Sequence, residues 1–485
     1  MRLRISLILL LAVVLVALAW YLGLPGDANR QEPLVSGTVP RPGVARPNVV
    51  MIVLDTVRRD HLSCYGYGRD TSPNLSRLCE TARRFDRAYS TSCWTIPAHA
   101  SLFTGLFAVA HGATQENPAL DTSLRTLAEI LSENGYATVG ITENPMLAVS
   151  SGFAQGFHEY VETWRLPPPD GGDENAALSA FRHSLETLPS GKPFFVFVNL
   201  IEAHSPYDSS GPFRNRFITD ESIRVATNDW KRYFVGRRTF TENELQHLGE
   251  LYDAEILYVD DVVGKMIGDL QRRNLWDEIL FVVLSDHGEN LGEHNLVDHV
   301  FSLNETLIQI PLIVHYAPGF ASGGCDDRNV QISDLFATVL EAAHLSVERY
   351  ASQGRSLVSP RSEGPRPILC EYYYPKQALA ALPPEDREHP SLARYKRQLR
   401  SLQEGHLKLI WGSDGQHELY DLDTDPGEEA DLAERPGFLE TTRQLVGNLE
   451  GLVTQLRRGA VKPTQIEGET DEETIKALRS LGYVQ

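Results

Sequence analysis

The sequence predicts an α/β protein built on a doubly wound, mostly parallel sheet, followed by a smaller C-terminal α+β subdomain. Three observations lead there. The runs Asn48–Leu54, Phe194–Leu200 and Ile279–Leu284 are short and almost continuously apolar, as parallel strands buried on both faces are. Segments of helical period separate them, the longest from about Thr241 to Arg273 with Leu248, Leu251, Ile256, Val259, Val263 and Ile267 recurring along it. After residue 365 the texture changes to short strands and one helix, without the alternation of strand and helix that precedes it.

The chain has 485 residues, 42% hydrophobic and 23% charged, an ordinary globular composition. Its net charge of −20 argues against nonspecific binding to nucleic acid or to an anionic lipid surface, so an anionic substrate has to be held by local cations. Five cysteines, with no CxxC pair, give no disulfide or metal framework.

In chain order, Arg2 and Arg4 precede an apolar run from Ile5 to Leu24, long enough to span a bilayer once. The arginines place the bulk of the protein outside the cytoplasm. Residues 1–24 are therefore read as a signal anchor or a signal peptide, which puts the protein at the membrane, in the periplasm or outside the cell. The Pro- and Gly-rich residues 25–46 read as a tether. Residues 47–365 form the larger domain and 366–485 the C-terminal subdomain.

The first buried strand ends in Asp55, where sheets of this class collect ligands, although an Asp that caps a turn looks the same. A helix is expected from Thr71 through Arg83 and a strand over Phe85–Tyr89. The stretch Thr91–Gly105 places the Thr95 hydroxyl at the N-terminus of a Pro97-started helix, where free N–H groups favour an anion. That suits a nucleophile attacking a phosphate or sulfate ester, and equally an ordinary N-cap. Residues 122–134 read as an amphipathic helix, and Ala137–Thr142 as a strand whose end presents Asn144 as a candidate contact for the anionic group. Pro167–Gly172 is a loop. His204 follows the next strand, and residues 208–240 read as a polar insertion.

The strand Ile279–Leu284 runs into Ser285-Asp286-His287-Gly288-Glu289, with Glu293-His294 and Asp298-His299 close behind. Together with Asp55 these acid and imidazole groups point to a metal site, and an imidazole among the ligands favours Zn or Mn over Ca or Mg. Pro311–His315 is a further strand and Ser333–Ala343 a helix. Strands over Ile368–Tyr373, His406–Trp411 and His417–Leu422, then a helix from about Phe438 to Arg457, make up the C-terminal subdomain.

Several ordered motifs give the chain a resemblance to the sulfatase family of the alkaline phosphatase superfamily. They are P-N-V-V-M-I-V-L-D at Pro47–Asp55, D-H-L-S-C-Y-G-Y at Asp60–Tyr67, T-S-P-N-L at Thr71–Leu75 and A-S-L-F-T-G at Ala100–Gly105. H-S-P-Y at His204–Tyr207, S-D-H-G-E at Ser285–Glu289, L-G-E-H at Leu291–His294 and the run Glu418–Glu428 continue the match. The resemblance implies a divalent metal at the strand ends, held by Asp55, Asp286 and His287, with Thr95 at the nucleophile position. It places His204 and His299 where such enzymes contact the anionic group.

The chain departs from the formylglycine sulfatases at the nucleophile. Thr95-Ile96-Pro97-Ala98-His99 stands in place of C-x-P-x-R, and threonine cannot give formylglycine. T-x-P-x-H resembles the nucleophile stretch of nucleotide pyrophosphatase/phosphodiesterases, and a ligand set of Asp55, Thr95, Asp286 and His287 resembles the single-metal lipoteichoic acid synthases. His204, His299 and His99 are then candidates to hold the anion or protonate the leaving group. Three functions stay open: a phosphoesterase or phosphotransferase acting through Thr95, a sulfuric ester hydrolase without formylglycine, and a catalytically silent, membrane-tethered binding protein. No motif sets the alcohol half of the substrate or the oligomeric state.

Overall fold

The computed structural model describes residues 46–167, 174–208, 211–226, 229–320, 323–358, 366–458, 460 and 470–483. The expected anchor, nearly all of the tether and most of the 167–172 loop lie outside these residues. Among the described residues no helix is long and apolar enough to cross a membrane.

The strands are β1 (Asn48–Leu54), β2 (Arg83–Tyr89), β3 (Ala137–Thr142), β4 (Glu159–Glu162), β5 (Phe194–Leu200), β6 (Ile279–Leu284), β7 (Asn290–Leu291), β8 (Val297–Asp298), β9 (Gln309–Ile310), β10 (Leu312–His315) and β11 (Cys325–Gln331). All but β7 and β8, which form a small ribbon, belong to one sheet of order β11-β2-β10-β6-β1-β5-β3-β4, with β9 paired to β2. β1 is central, parallel to β5 on one side and to β6 on the other. β3 continues the parallel set beyond β5, while β10 runs antiparallel to β6. The C-terminal ends of β1, β3, β5 and β6 therefore open on one edge of the sheet, and Asp55, Asn144, His204 and Asp286 all follow those ends.

The sequence places β3, β5 and β6 at their observed bounds, because strands covered on both faces need uninterrupted apolar side chains. Other elements differ. The helix expected over 122–134 is confined to Leu127–Glu133, because Thr126 and Glu129 form a reciprocal capping box that fixes its start. The helix expected to reach Arg83 ends at Cys79, since Arg83 and Arg84 already pair with β10. Within the expected polar insertion, Trp230–Phe234 is helical and Trp230 and Phe234 are buried.

The 31-residue helix Glu242–Arg272 starts at a Thr241/Glu244 capping box and lies across the sheet. It also fixes the chain that leaves β1. Tyr252 donates to the Thr56 carbonyl at 2.7 Å and accepts from Arg58 N at 2.7 Å. Asp260 accepts from Asn74 N and Leu75 N, at 2.9 and 2.8 Å.

The C-terminal subdomain holds the antiparallel sheet β12 (Ile368–Tyr372), β13 (Leu399–Glu404), β14 (Leu407–Gly412) and β15 (Glu418–Asp421), in that order. β13 carries no sequence signal of its own because Arg400, Gln403 and Glu404 interrupt its apolar pattern. The helix Leu439–Leu456 packs Leu445, Leu449 and Val453 onto Leu402, Leu409 and Leu419, in a core shared with Phe107 and Val109 of the larger domain. A second bond between the two parts is ionic. Lys408, fully buried in β14, reaches Glu305 at 2.8 Å and Glu428 at 2.7 Å.

Removing one partner of such a group leaves buried charge uncompensated. Lys408→Ala is expected to destabilise the fold by about 3 to 5 kcal/mol, seen as a lowered midpoint in urea unfolding. Exposed Lys476→Ala should leave that midpoint unchanged.

Candidate active site and metal centre

Asp55 and Asp286 leave adjacent strands, so the backbone alone brings two carboxylates together in a region without solvent; both are 0% exposed. Burial, and after it the charge of Asp55, pushes the Asp286 carboxyl well above the usual carboxylate range. Part of the charge is met by fixed donors. Asn144 Nδ2 donates to Asp55 Oδ2 at 2.7 Å and Asn199 Nδ2 to the same oxygen at 3.2 Å. Thr56 N and His287 N donate to Asp286 Oδ1, at 3.2 and 2.9 Å.

The other oxygen of each carboxylate, Asp55 Oδ1 and Asp286 Oδ2, is buried without a hydrogen-bond partner, and so is Thr56 Oγ1. Orphaned buried acceptors of this kind are costly unless a cation serves them. His287 faces the same point in the right tautomer. Its Nδ1 lies 3.1 Å from the Gly288 carbonyl, which can only accept, so Nδ1 carries the proton and Nε2 offers its lone pair. Burial keeps this imidazole neutral, far below its ordinary pKa.

The spacing fits a metal ion. Two ligand atoms about 2.1 Å from one tetrahedral ion are about 3.4 Å apart. His287 Nε2 is 3.3 Å from Asp286 Oδ2 and 3.5 Å from Thr95 Oγ1. Ligand atoms of Asp55, Asp286 and His287 all lie within 4.8 Å of one another.

Thr95 opens the helix Thr95–Thr104, all ten residues of which are buried. Small side chains at Ala98, Ala100 and Ser101 allow that close packing, and Gly105 ends the helix at φ +69. Gly288 has a different reason: a Cβ there would lie 2.0 Å from the Thr306 carbonyl oxygen. Thr56 sits at φ 60, a strained conformation for a β-branched residue, and Tyr252 holds its carbonyl in place.

The histidines divide by what their nitrogens face. His99 puts Nδ1 2.9 Å from the Thr95 carbonyl and 3.6 Å from Asp286 Oδ2, and packs its ring edge-on against Phe197, so it braces the start of the Thr95 helix against the carboxylate pair. His299 puts Nδ1 3.2 Å from Asp298 and 3.5 Å from Glu289, and its Nε2 has no partner. Burial alone would lower its pKa, but Asp298 and then Glu289 push it up to about 9, so it stands as a cation beside His287, the ring centroids 4.7 Å apart. His204 packs against His299, with centroids 4.9 Å apart. Its Nδ1 points 2.6 Å to the Ser205 carbonyl and its Nε2 lies 2.7 Å from the Tyr483 hydroxyl. His111 is a core residue tied to Ser101 and the Ala113 N–H, and His294 stands outside the cluster at the surface turn.

Asp55, Thr95, His204, Asp286, His287 and His299 thus converge. Asn144 joins them through Asp55, its own Oδ1 taken by Met146 N at 2.9 Å. Sequence reasoning missed Asn199 and Tyr483, and named Glu289 in its motif without a role of its own. Asn199 had a signal, since it is the one polar residue in the apolar run of β5.

A sulfatase family profile matches residues 47–345. The multifunctional alkaline phosphatase superfamily protein PehA of Trinickia caryophylli is 25% identical, covering 82% of this chain and 94% of its own. The choline-sulfatase of Rhizobium meliloti is 24% identical over 81% of this chain and 83% of its own. Among solved structures, the phosphonate monoester hydrolase of Agrobacterium radiobacter superposes with a TM-score of 0.69 at 20% identity, covering 85% of this chain and 96% of that one. A protein solved with its substrate D-glucosamine-2-N,6-O-disulfate gives 0.69 at 20% identity, over 88% and 100%.

Because a proton on Asp286 competes with the cation, affinity for Zn or Mn is expected to rise about tenfold per pH unit while that proton is being released. Calorimetric titration from pH 5 to 8 measures it. Asp286→Asn should lower affinity and flatten this slope.

Proposed function

The chain belongs to the sulfatase family as an ester hydrolase of the sulfatase and phosphonate monoester hydrolase type, and within it we propose that Thr95 is the nucleophile and a phosphoester the substrate. The observation that carries this reading is the place of the Thr95 hydroxyl, 3.5 Å from Nε2 of His287, which itself lies 3.3 Å from the orphaned Asp286 Oδ2. The nearest cysteine in sequence, Cys93, is fully buried, and burial holds its thiol well above the usual range, so it is not a reactive alternative.

A divalent ion held by Asp55, Thr95, Asp286 and His287, with Thr56 as a spare oxygen, would lower the pKa of the Thr95 hydroxyl and draw charge from a non-bridging ester oxygen. The chain supplies the rest. The helix N-terminus at Thr95 aims free N–H groups at the anion. The His299 cation, anchored by Asp298 and Glu289, presents an unpartnered Nε2–H to the anionic group and to the departing oxygen. Attack in line forms a bond from Thr95 Oγ1 to phosphorus and breaks the bond to the leaving alcohol. Water or an acceptor alcohol then takes the phosphoryl group from threonine. His99 and Asn144 position Thr95 and Asp55. The basic N-terminus and the Ile5–Leu24 run support an exported location for this chemistry.

The test is turnover by the full chain, stripped of metal and reloaded with Zn, Mn, Mg or Ca, on an aryl phosphate, an aryl phosphodiester and an aryl sulfate. Phosphoester turnover is expected, falling at least about 10³-fold in Thr95→Ala and staying within about tenfold in Thr95→Ser. Sulfate turnover that survives Thr95→Ala would overturn the reading in favour of a sulfatase with water as attacker. A chain that neither binds metal nor turns over any ester would be the silent binding protein.

A further inference from the structure

The proposed nucleophile is sealed off from solvent. Thr95 is 1% exposed, His299 1% and His204 3%. Against it lies the C-terminal segment 471–483. The helix Glu472–Ser480, capped by Asp471, is followed by Gly482 at φ +82, and that turn sends Tyr483 inward. The Tyr483 ring lies edge-on to Trp94 with centroids 5.9 Å apart, and its hydroxyl ends 2.7 Å from His204 Nε2. Burial, and after it the charge of Asp55, holds this phenol protonated, well above its ordinary pKa, and the Thr95 side chain faces it.

The polarity of this contact decides what it is for. The Ser205 carbonyl takes the proton on His204 Nδ1, which leaves Nε2 as an acceptor. The Tyr483 O–H must therefore donate to His204, and the phenol turns only lone pairs toward Thr95. An anionic ester cannot sit against that face. The grip on the tail is also of a kind that releases. An ionic anchor of the tail is Arg165, which binds both carboxylate oxygens of Asp471, at 3.1 and 2.5 Å, and reaches Glu473 at 3.0 Å and the buried Thr474 hydroxyl at 2.8 Å, the two carboxylates being open to water. Charged partners open to water are screened by salt, so ionic strength loosens this grip. Leu478 and Tyr483 add apolar packing but are only partly buried.

We propose that residues 471–483 are a lid over the active site, with the Tyr483 phenol standing where an oxygen of the anionic ester has to bind, so that substrate enters only by displacing it. The proposal rests on the reading of Thr95 as nucleophile, but the lid can be tested apart from it. Opening the lid raises the fraction of molecules competent to bind, and apparent affinity rises with that fraction.

The experiment compares the full-length protein with Arg165→Ala, which cuts the anchor, with Tyr483→Phe, which keeps the ring and removes the bond to His204, and with a chain ended after Thr470. Turnover of an aryl phosphate by the metal-loaded proteins is expected to show KM lowered by about fivefold or more in Arg165→Ala and in the shortened chain, with kcat not reduced. In parallel, carbethoxylation of His204 by diethyl pyrocarbonate, read by peptide mass spectrometry, needs no catalysis. It should be slow in the full-length protein and at least about fivefold faster in Arg165→Ala and Tyr483→Phe. A KM that rises in the two point variants would overturn the lid and make Tyr483 a substrate-binding wall. Unchanged labelling of His204 would overturn it as well. Faster labelling in a protein that turns over no ester would uphold the lid and remove the nucleophile reading alone.

Discussion

The site depends on one electrostatic constraint: two carboxylates, Asp55 and Asp286, are forced together without water at the ends of adjacent parallel strands. Two such charges cannot both persist there unaided. Their surroundings answer that strain. Asn144 and Asn199 from neighbouring strands spend their amides on Asp55, and backbone N–H groups of Thr56 and His287 serve Asp286. One oxygen of each is left over, aimed at the lone pair of His287. The fold has balanced the pair only as far as fixed dipoles can, and a divalent cation is the chemistry the remainder calls for.

The same constraint explains the scaffold around it. A ligand set with fixed spacing needs rigid supports, and the supports here are buried strand ends and a helix with no exposed face. The turn after β1 is held in a strained conformation at Thr56, which persists because Tyr252 of the long helix bonds its carbonyl. Cationic charge is added from the far side by His299, whose proton is secured by Asp298 and Glu289 on the ribbon segment. The C-terminal subdomain is tied in through the Phe107–Val109 core and Lys408, and beyond it Tyr483 returns to bond His204.

Much of this was legible in the sequence, for reasons that are local. A strand buried on both faces has to be apolar throughout, so β3, β5 and β6 could be bounded from the sequence alone. Polar residues just past such strands have to lie at one sheet edge, which brought Asp55, Asn144, His204 and Asp286 forward as candidates. Asn199 was passed over because its reason for being polar is Asp55, 144 residues earlier in the chain. The helix expected over 122–134 is shorter because a capping box, not periodicity, sets its start, and β13 leaves no signal because polar residues interrupt its apolar pattern.

By itself the sequence determined the fold class, the edge where ligands gather and the identity of the chemical groups brought there, since these follow from hydrophobic pattern and strand ends. It could not determine which nitrogen of each histidine faces the centre. That choice depends on which carbonyl or carboxylate the other nitrogen meets: Gly288 for His287, Ser205 for His204, Thr95 for His99, Asp298 and Glu289 for His299. Nor could it place Tyr483 beside a histidine 279 residues away. Tertiary structure alone decided these, because a hydrogen bond between distant segments leaves no periodicity in the chain.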